Sequence, residues 1–520
     1  MSVLNRIQQV KARVDPDPEN PLSIRRIVIV GGGSAGWMAA AALSNSLHRA
    51  VQITLVESEQ IGIVGVGEAT IPTIRLLNQT MGVDEQEFLR RTQGTFKLGI
   101  QFVHWGQLEH RYMHPFGVFG KPFDTIPVYQ HWLKQRKRQS VGTLDDYSMA
   151  TVAALMGRFS LPTSRPDLLT STFSYAFHFD ASLYAVYLRG LSEQRGVNRV
   201  EGIIDRVHLD PDTGHVRSVQ LSDGRTVEGD LFIDCSGFRS LLLGETLGVG
   251  YESWSHWLPC DRAFAMPSTL EGEPAPYTRS TALEAGWQWT IPLRHRVGNG
   301  YVFSSAYLSE AQAADTLRAR LPGKALAEPR LIKFTPGRRH KAWESNVVAL
   351  GLASGFLEPL ESTSLHLVHS GLAVLLSMFP NKQFVEPMRR EYNRRFALEM
   401  ERIRDFLVLH YTLNQRTDSE MWKYCANMTL PESLKERMEL FRFCGQVQID
   451  DADLFGAESW LAVHLGQLNF PQTHLPLLDL RRADGLGGLN RLRDSLRREA
   501  QGMPTHQNFL ERYLSLSTAH

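Results

Sequence analysis

The N-terminal part of the chain switches abruptly from one hydrophobic period to another. Arg26-Ile-Val-Ile-Val30 is a short β-branched run, Gly31-Gly-Gly-Ser-Ala-Gly36 interrupts it, and Trp37-Met-Ala-Ala-Ala-Ala-Leu43 follows with high helix propensity. This pattern predicts strand, tight turn and helix. A second β-rich run, Val51-Gln-Ile-Thr-Leu-Val-Glu57, completes a βαβ unit. Farther on, Phe179-Asp180 precedes a predicted helix over Ala181–Gln194. A strand meander then has its turns marked by Asp212-Thr-Gly214 and Asp223-Gly224. It leads into Asp230-Leu-Phe-Ile-Asp-Cys-Ser-Gly237, a buried strand ending in small residues. Residues 386–409 carry an amphipathic helical pattern, and the remainder reads as mainly helical with no Gly-rich linker. No internal repeat interrupts this order.

Composition narrows the function classes. In 520 residues, Lys plus Arg is 56 and Asp plus Glu is 55, so the formal charge of +1 provides no field for a polyanion or an anionic membrane. Nucleic acid is therefore not an expected partner. The basic run Lys134-Gln-Arg-Lys-Arg138 reads as a solvated helix face. Cys235, Cys260, Cys425 and Cys444 form no C-x-x-C pair, which argues against a disulfide framework or structural zinc and fits a reducing cytoplasm. The first 25 residues lack an apolar h-region, and the apolar stretch at residues 347–357 is broken by Gly351, Ser354 and Gly355. No membrane association is expected.

The turn after the first strand has candidate chemistry. Gly31, Gly33 and Gly36 form G-x-G-x-x-G between strand and helix, with Glu57 at the end of the next strand. Gly31 allows the tight turn, Gly33 lets a pyrophosphate approach the backbone, and Gly36 lets helix and strand pack closely. The helix N-terminus supplies amide donors, and Glu57 can accept ribose hydroxyls while repelling a 2′-phosphate. Placement near the start of a long chain favours FAD over NAD.

Several stretches together resemble the flavin-dependent halogenases of the tryptophan halogenase type along nearly the whole chain. Gly286-Trp287-Gln-Trp289-Thr-Ile-Pro292 carries the W-x-W-x-I-P signature. The other matching stretches are Gly31-Gly-Gly-Ser-Ala-Gly-Trp-Met-Ala39, Gly65-Val-Gly-Glu-Ala-Thr-Ile-Pro72, Thr95-Phe-Lys-Leu-Gly-Ile-Gln-Phe102, Asp230-Leu-Phe-Ile-Asp-Cys-Ser-Gly237, Gly300-Tyr-Val-Phe-Ser-Ser305 and Gly355-Phe-Leu-Glu-Pro-Leu-Glu-Ser-Thr363. The resemblance implies an α/β, FAD-binding dinucleotide fold of the glutathione-reductase and monooxygenase type, with an inserted sheet. Residues 1–24 would be an N-terminal extension, 25–380 the FAD-binding core with inserted substrate-domain strands, and 381–520 a helical region completing the substrate site. Ser34, Ala35, Ala69, Asp234, Gly237 and Leu352 would join Gly31, Gly33, Gly36 and Glu57 at the cofactor.

The chemistry implied is that FADH2, supplied by a separate flavin reductase, reacts with oxygen to give a flavin hydroperoxide. Chloride or bromide then yields hypohalous acid, which passes through a tunnel to an electron-rich aromatic, above all an indole. Trp287 and Trp289 would separate flavin from substrate; the lesser alternative, read from the residues alone, is two alternating core aromatics on a strand. Lys97, flanked by Phe96, Leu98 and Ile100, matches the essential lysine, acting by hydrogen bond or as a haloamine. Glu361 matches its glutamate partner, with Glu358 the competing carboxylate. Thr363 and Ser364 match the halide site, where many relatives have Gly at the position of Ser364. His114 and Phe116 match a pair that sandwiches an indole. Relatives acting on free tryptophan use a late tyrosine pair. The stretch aligned with it, Glu458-Ser-Trp-Leu-Ala-Val-His464, has none, so a simple indole, another electron-rich aromatic or a peptide-borne indole is at least as well suited. A homodimer is compatible with the resemblance. No metal is expected, since neither His110 with His114 nor His366 with His369 has a third ligand nearby in sequence. The rival readings are an aromatic monooxygenase, which would need neither Lys97 nor the tryptophan pair, and a redox-silent binding protein.

Overall fold

A computed structural model describes residues 20–60, 67–123, 125–481 and 485–515. Most of the predicted N-terminal extension and the pair Gly65-Val66 of one quoted motif lie outside these residues. Arg26–Val30, Ser34–Leu47 and Gln52–Glu57 form the βαβ unit, and the two strands pair in parallel from Arg26↔Gln52 to Val30↔Val56. They sit in a six-stranded sheet with, on one side, Leu231–Asp234, Val347–Ala349 and Trp343–Glu344, and on the other Asn198–Glu201. All pairs are parallel except Trp343–Glu344 with Val347–Ala349. Ile27 and Ile29 turn to the helix-covered face with Trp37 and the alanines of Ser34–Leu47. Val28 and Val30 turn to the opposite face, packed on the meander of Ile204–Leu209, Val216–Leu221 and Thr226–Glu228.

The inserted sheet has seven strands. Its order is Arg330–Lys333, Arg262–Ser268, Val297–Phe303, Gly286–Pro292, Thr278–Leu283, Gly99–Val103 and Arg111–Pro115. Gly99–Val103 runs parallel to Thr278–Leu283 although far from it in sequence. Gly300 faces Trp289 across this sheet, and a Cβ there would come within 2.0 Å of the indole, so only glycine leaves the ring its place. A small sheet of Gly67–Ala69, Ala176–Asp180 and Thr95–Lys97 sits beside it and carries Lys97.

The helices after residue 380 share cores with what precedes them. Phe406, Leu409 and Tyr411 of Glu386–Thr412 lie in one apolar cluster with Trp287, Trp289 and Phe102. His506, opening His506–Ser515, returns to the Lys97 strand: its Nε2 accepts from the Phe96 amide at 3.1 Å and its Nδ1 donates to the Pro274 carbonyl at 2.8 Å. No helix among the described residues is long and apolar enough to cross a membrane.

Candidate active site

A cavity of about 900 Å³ runs from the glycine turn to the tryptophan pair. Gly31, Gly33, Ser34, Ala35, Glu57, Ala69, Gly237, Leu352, Trp287, Trp289 and Ser364 are all in its wall. The three glycines differ in what they require. Gly31 has φ +108, and a Cβ on it would lie 2.2 Å from the Cys235 carbonyl. Gly36, whose Cβ would meet the Gly31 carbonyl at 1.8 Å, is a packing residue outside the wall. Around Gly33 a Cβ would meet nothing within 4 Å, because that space opens into the cavity at the start of Ser34–Leu47. Glu57 Oε1 accepts from Arg199 Nε at 2.6 Å, while Oε2 lies directly over Gly32. Trp289 Nε1 and Ser280 Oγ are buried in the wall with no protein partner. An open glycine backbone at a helix N-terminus, a strand-end carboxylate and unpaired buried donors fit a dinucleotide cofactor with an aromatic ring system at its far end.

Asp234, like Gly36, is an expected cofactor residue that stands outside the wall. It is fully buried and not in the wall; Oδ1 accepts from the Ser236 amide and hydroxyl, and Oδ2 from the amides of Leu242 and Leu243. It shapes the turn that presents Ser236 and Gly237, and its acceptors are already engaged.

Behind the wall at Ser362 is a second set of groups. Lys97 and Glu361 are both 0% exposed. Lys97 Nζ donates to Ser362 Oγ at 3.0 Å and stands 5.2 Å from the centre of the Phe116 ring. Burial lowers the lysine to about 7, against the opposing pull of Glu361 and Glu68. Ser362 itself lines the cavity and holds a left-handed φ of 59, so the hydroxyl that receives Lys97 belongs to a strained residue in the cavity wall. Among the described residues the ion pairs within 4 Å do not include Lys97 with Glu361; the glutamate acts on the lysine through its field.

Glu361 instead faces two histidines, hydrogen-bonded to one and in close approach to the other. His114 Nδ1 lies 3.0 and 2.9 Å from its oxygens, and His410 Nε2 lies 2.8 Å from Oε1. Burial alone would raise this carboxyl, but the two imidazoles outweigh it and hold Glu361 well below the usual carboxylate range. The His114 and Phe116 rings stand 76° apart with centroids 6.4 Å from each other, so they are not the two parallel walls of a sandwich. The Glu361 bond fixes His114 edge-on. Aromatic surface beside it comes from Phe406 and Phe455, stacked at 4.1 Å, with Trp460 of Ala457–Gly466 at 5.3 Å from Phe406.

Glu358, the competing carboxylate, is buried as well. It is 0% exposed, accepts from Trp287 Nε1 at 3.1 Å and Tyr411 Oη at 2.9 Å, and burial raises it to about 7. It therefore anchors Trp287 to Glu386–Thr412. At the halide position, Ser364 begins Ser364–Ser377 in the wall, and Thr363 is buried next to it with an unpaired hydroxyl. His410 was not singled out by sequence, since a histidine ending an amphipathic run has no local signal of what it faces.

Comparison with known proteins adds an independent line. The family model described as tryptophan halogenase matches residues 26–483. The tryptophan 6-halogenase SttH of Streptomyces toxytricini is 38% identical over 451 residues, 82% of this chain and 85% of the relative. Among solved structures, BrvH, a flavin-dependent halogenase from Brevundimonas sp. BAL3, is 46% identical with a TM-score of 0.90, covering 94% of this chain and 99% of its own. Xcc4156, a flavin-dependent halogenase from Xanthomonas campestris, is 46% identical with a TM-score of 0.89, covering 94% of this chain and 98% of its own.

Proposed function

The chain belongs to the tryptophan halogenase family and is an enzyme of the flavin-dependent halogenase type, and from that premise we propose that it halogenates an indole at Lys97 and Glu361. The observation that supports this most is Ser362, which lines the cavity on one side and receives the Lys97 hydrogen bond on the other. Reduced FAD, when bound, supplies hypohalous acid from oxygen and halide. Gly31, Gly33, Ser34 and Ala35 would hold its pyrophosphate, and Glu57 its ribose. The amides at Thr363 and Ser364 would hold the halide, for which a helix N-terminus is suited.

Trp287 and Trp289 fill the space between cavity and cluster and keep an aromatic substrate from the cofactor. Lys97, with a proton affinity near neutrality, hydrogen-bonds the electrophile or meets it as the amine. Glu361 stays ionised between His114 and His410, which suits it to stabilise positive charge on the ring and to receive the ring proton. Aromatic surface from Phe116, Phe406 and Phe455 lies close by, while Ala457–Gly466 brings no tyrosine. Ring contacts then outweigh any grip on an amino-acid backbone. A competition at equal concentrations of indole and L-tryptophan, with bromide, FAD and an added flavin reductase, should give bromoindole at least as fast as bromotryptophan. Strong preference for tryptophan with one regioisomer would reject this choice of substrate.

A further inference from the structure

The tryptophans of the cavity wall are themselves oxidisable indoles, and they connect to a buried phenol. Trp289 and Trp287 both line the cavity, with ring centroids 6.2 Å apart. Behind them Trp105 lies 6.4 Å from Trp287 and 5.4 Å from Tyr411, centroid to centroid. Tyr411 is 0% exposed and outside the wall. Electron transfer between aromatic rings falls steeply with distance, so this succession of neighbouring rings couples the wall to the phenol.

The polar contacts around Tyr411 supply what a phenol needs to be oxidised. A phenol that loses an electron becomes a strong acid and must give up its proton to a base already in place. Tyr411 Oη donates to Glu358 Oε2 at 2.9 Å, and the same oxygen accepts from Trp287 Nε1 at 3.1 Å. Glu358 Oε1 is buried with no hydrogen-bond partner, which leaves the carboxylate poorly solvated and its affinity for a proton high. Cys260 Sγ lies 3.5 Å from Tyr411 Oη. Since the phenol proton is given to Glu358, the thiol is the donor in that contact and would support the oxygen left behind. Trp422 stacks on Tyr411 at 5.6 Å, but the Arg416 guanidinium sits 5.0 Å over its ring and opposes any positive charge there. The succession therefore ends at Tyr411.

We propose that Trp287, Glu358 and Tyr411 form a proton-coupled electron relay that draws a one-electron oxidation out of the cavity wall and holds it on Tyr411. A one-electron oxidant in the cavity, such as an oxygen-centred radical or a photo-excited flavin, takes an electron from Trp287, directly or through Trp289. Trp287 takes an electron from Tyr411, whose O–H bond breaks as an O–H bond forms on Glu358. The oxidant ends one electron reduced, Trp287 is restored, and a neutral phenoxyl radical remains beside a carboxylic acid. Return of the electron and the proton restores the parent state. The relay goes beyond the halogenase reading and needs from it only that FAD occupies the cavity.

Blue-light excitation of oxidised FAD bound to the full chain tests this without halide or substrate, at a pH above about 7 where Glu358 is a carboxylate. Transient absorption should show a tryptophan radical decaying as a tyrosyl radical rises, and electron paramagnetic resonance should detect the tyrosyl radical in samples frozen under light. Tyr411→Phe and Glu358→Gln should each lower the tyrosyl yield about tenfold or more and prolong the tryptophan radical, because glutamine accepts the hydrogen bonds but takes no proton. Cys260→Ala, a small change that keeps the relay, should shift the g-value of the tyrosyl signal by removing its thiol donor. An unmoved signal, or a parent-level tyrosyl yield in Tyr411→Phe or Glu358→Gln, would overturn the relay. So would a parent that retains FAD and forms no tyrosyl radical, whether or not the variants fold. A parent that retains no FAD would overturn the cofactor assignment and the relay together.

Discussion

Lys97 carries a charge that burial opposes and two carboxylates support, and burial wins. Its proton affinity falls from the ordinary 10.5 to about 7, so between those values the unfolded chain binds a proton that the folded chain does not. Stability therefore rises with pH across that window, and the cost of the buried ammonium is complete below about pH 7. Lys97→Met should raise the unfolding temperature at pH 6 and lose that gain progressively towards pH 10, as thermal melts across pH would read. Each unit of depressed pKa corresponds to about 1.4 kcal/mol, so the gain at low pH should be at least that. A second pair of substitutions separates binding from folding at the glycine turn. Gly33→Val should leave the melting temperature nearly unchanged and abolish FAD retention, since the added side chain enters only the cavity. Gly36→Ala should destabilise the fold itself, because its Cβ meets backbone at 1.8 Å.

Among the elements, the strand Thr95–Lys97 is three residues long and depends on a helix from the other end of the chain. His506 holds the Phe96 amide beside Lys97 and is fully buried between two backbone partners. His506→Ala leaves both unpaired, at a cost of about 1–3 kcal/mol, and should reduce halogenation more than FAD affinity; calorimetry and FAD titration distinguish the two effects. The nucleotide half of the fold was legible because its signals are local. Asp180, which accepts from the amides of Ser182 and Leu183, marks the start of Ala181–Gln194 as the sequence predicts. The strand Asp230-Leu-Phe-Ile-Asp was equally plain, but not that Asp234 would spend its acceptors on backbone amides. The amphipathic pattern at residues 386–409 found most of Glu386–Thr412 and stopped just short of His410 and Tyr411, the two residues that reach Glu361 and Glu358. Periodicity tells which face of a helix is buried, not which carboxylate it meets. The parallel pairing of Gly99–Val103 with Thr278–Leu283 likewise has no local signal.

For the molecule as a whole, the proposed arrangement is a cofactor cavity and a buried Lys97 and Glu361 cluster that meet at Ser362, with Trp287 and Trp289 in the cavity wall and Trp287 braced by Glu358. The dinucleotide fold and the inserted sheet both line the cavity, and the cluster draws on the inserted sheet, the Lys97 strand, the Glu358 to Ser364 turn and the C-terminal helices. This explains why the lysine strand is tied to the last helix and why the tryptophans are tied to Glu386–Thr412. The central claim is that the halogenating agent is made in one compartment and used in the other. It is tested most directly by supplying reduced FAD, oxygen and bromide to the parent and to Lys97→Ala, with indole and, separately, a hypobromous acid scavenger. The parent should yield bromoindole, and the variant should release hypobromous acid at a similar rate while forming at most a few per cent of the bromoindole. Bromoindole at the parent's level from Lys97→Ala, or hydroxylated indole from the parent, would contradict the account.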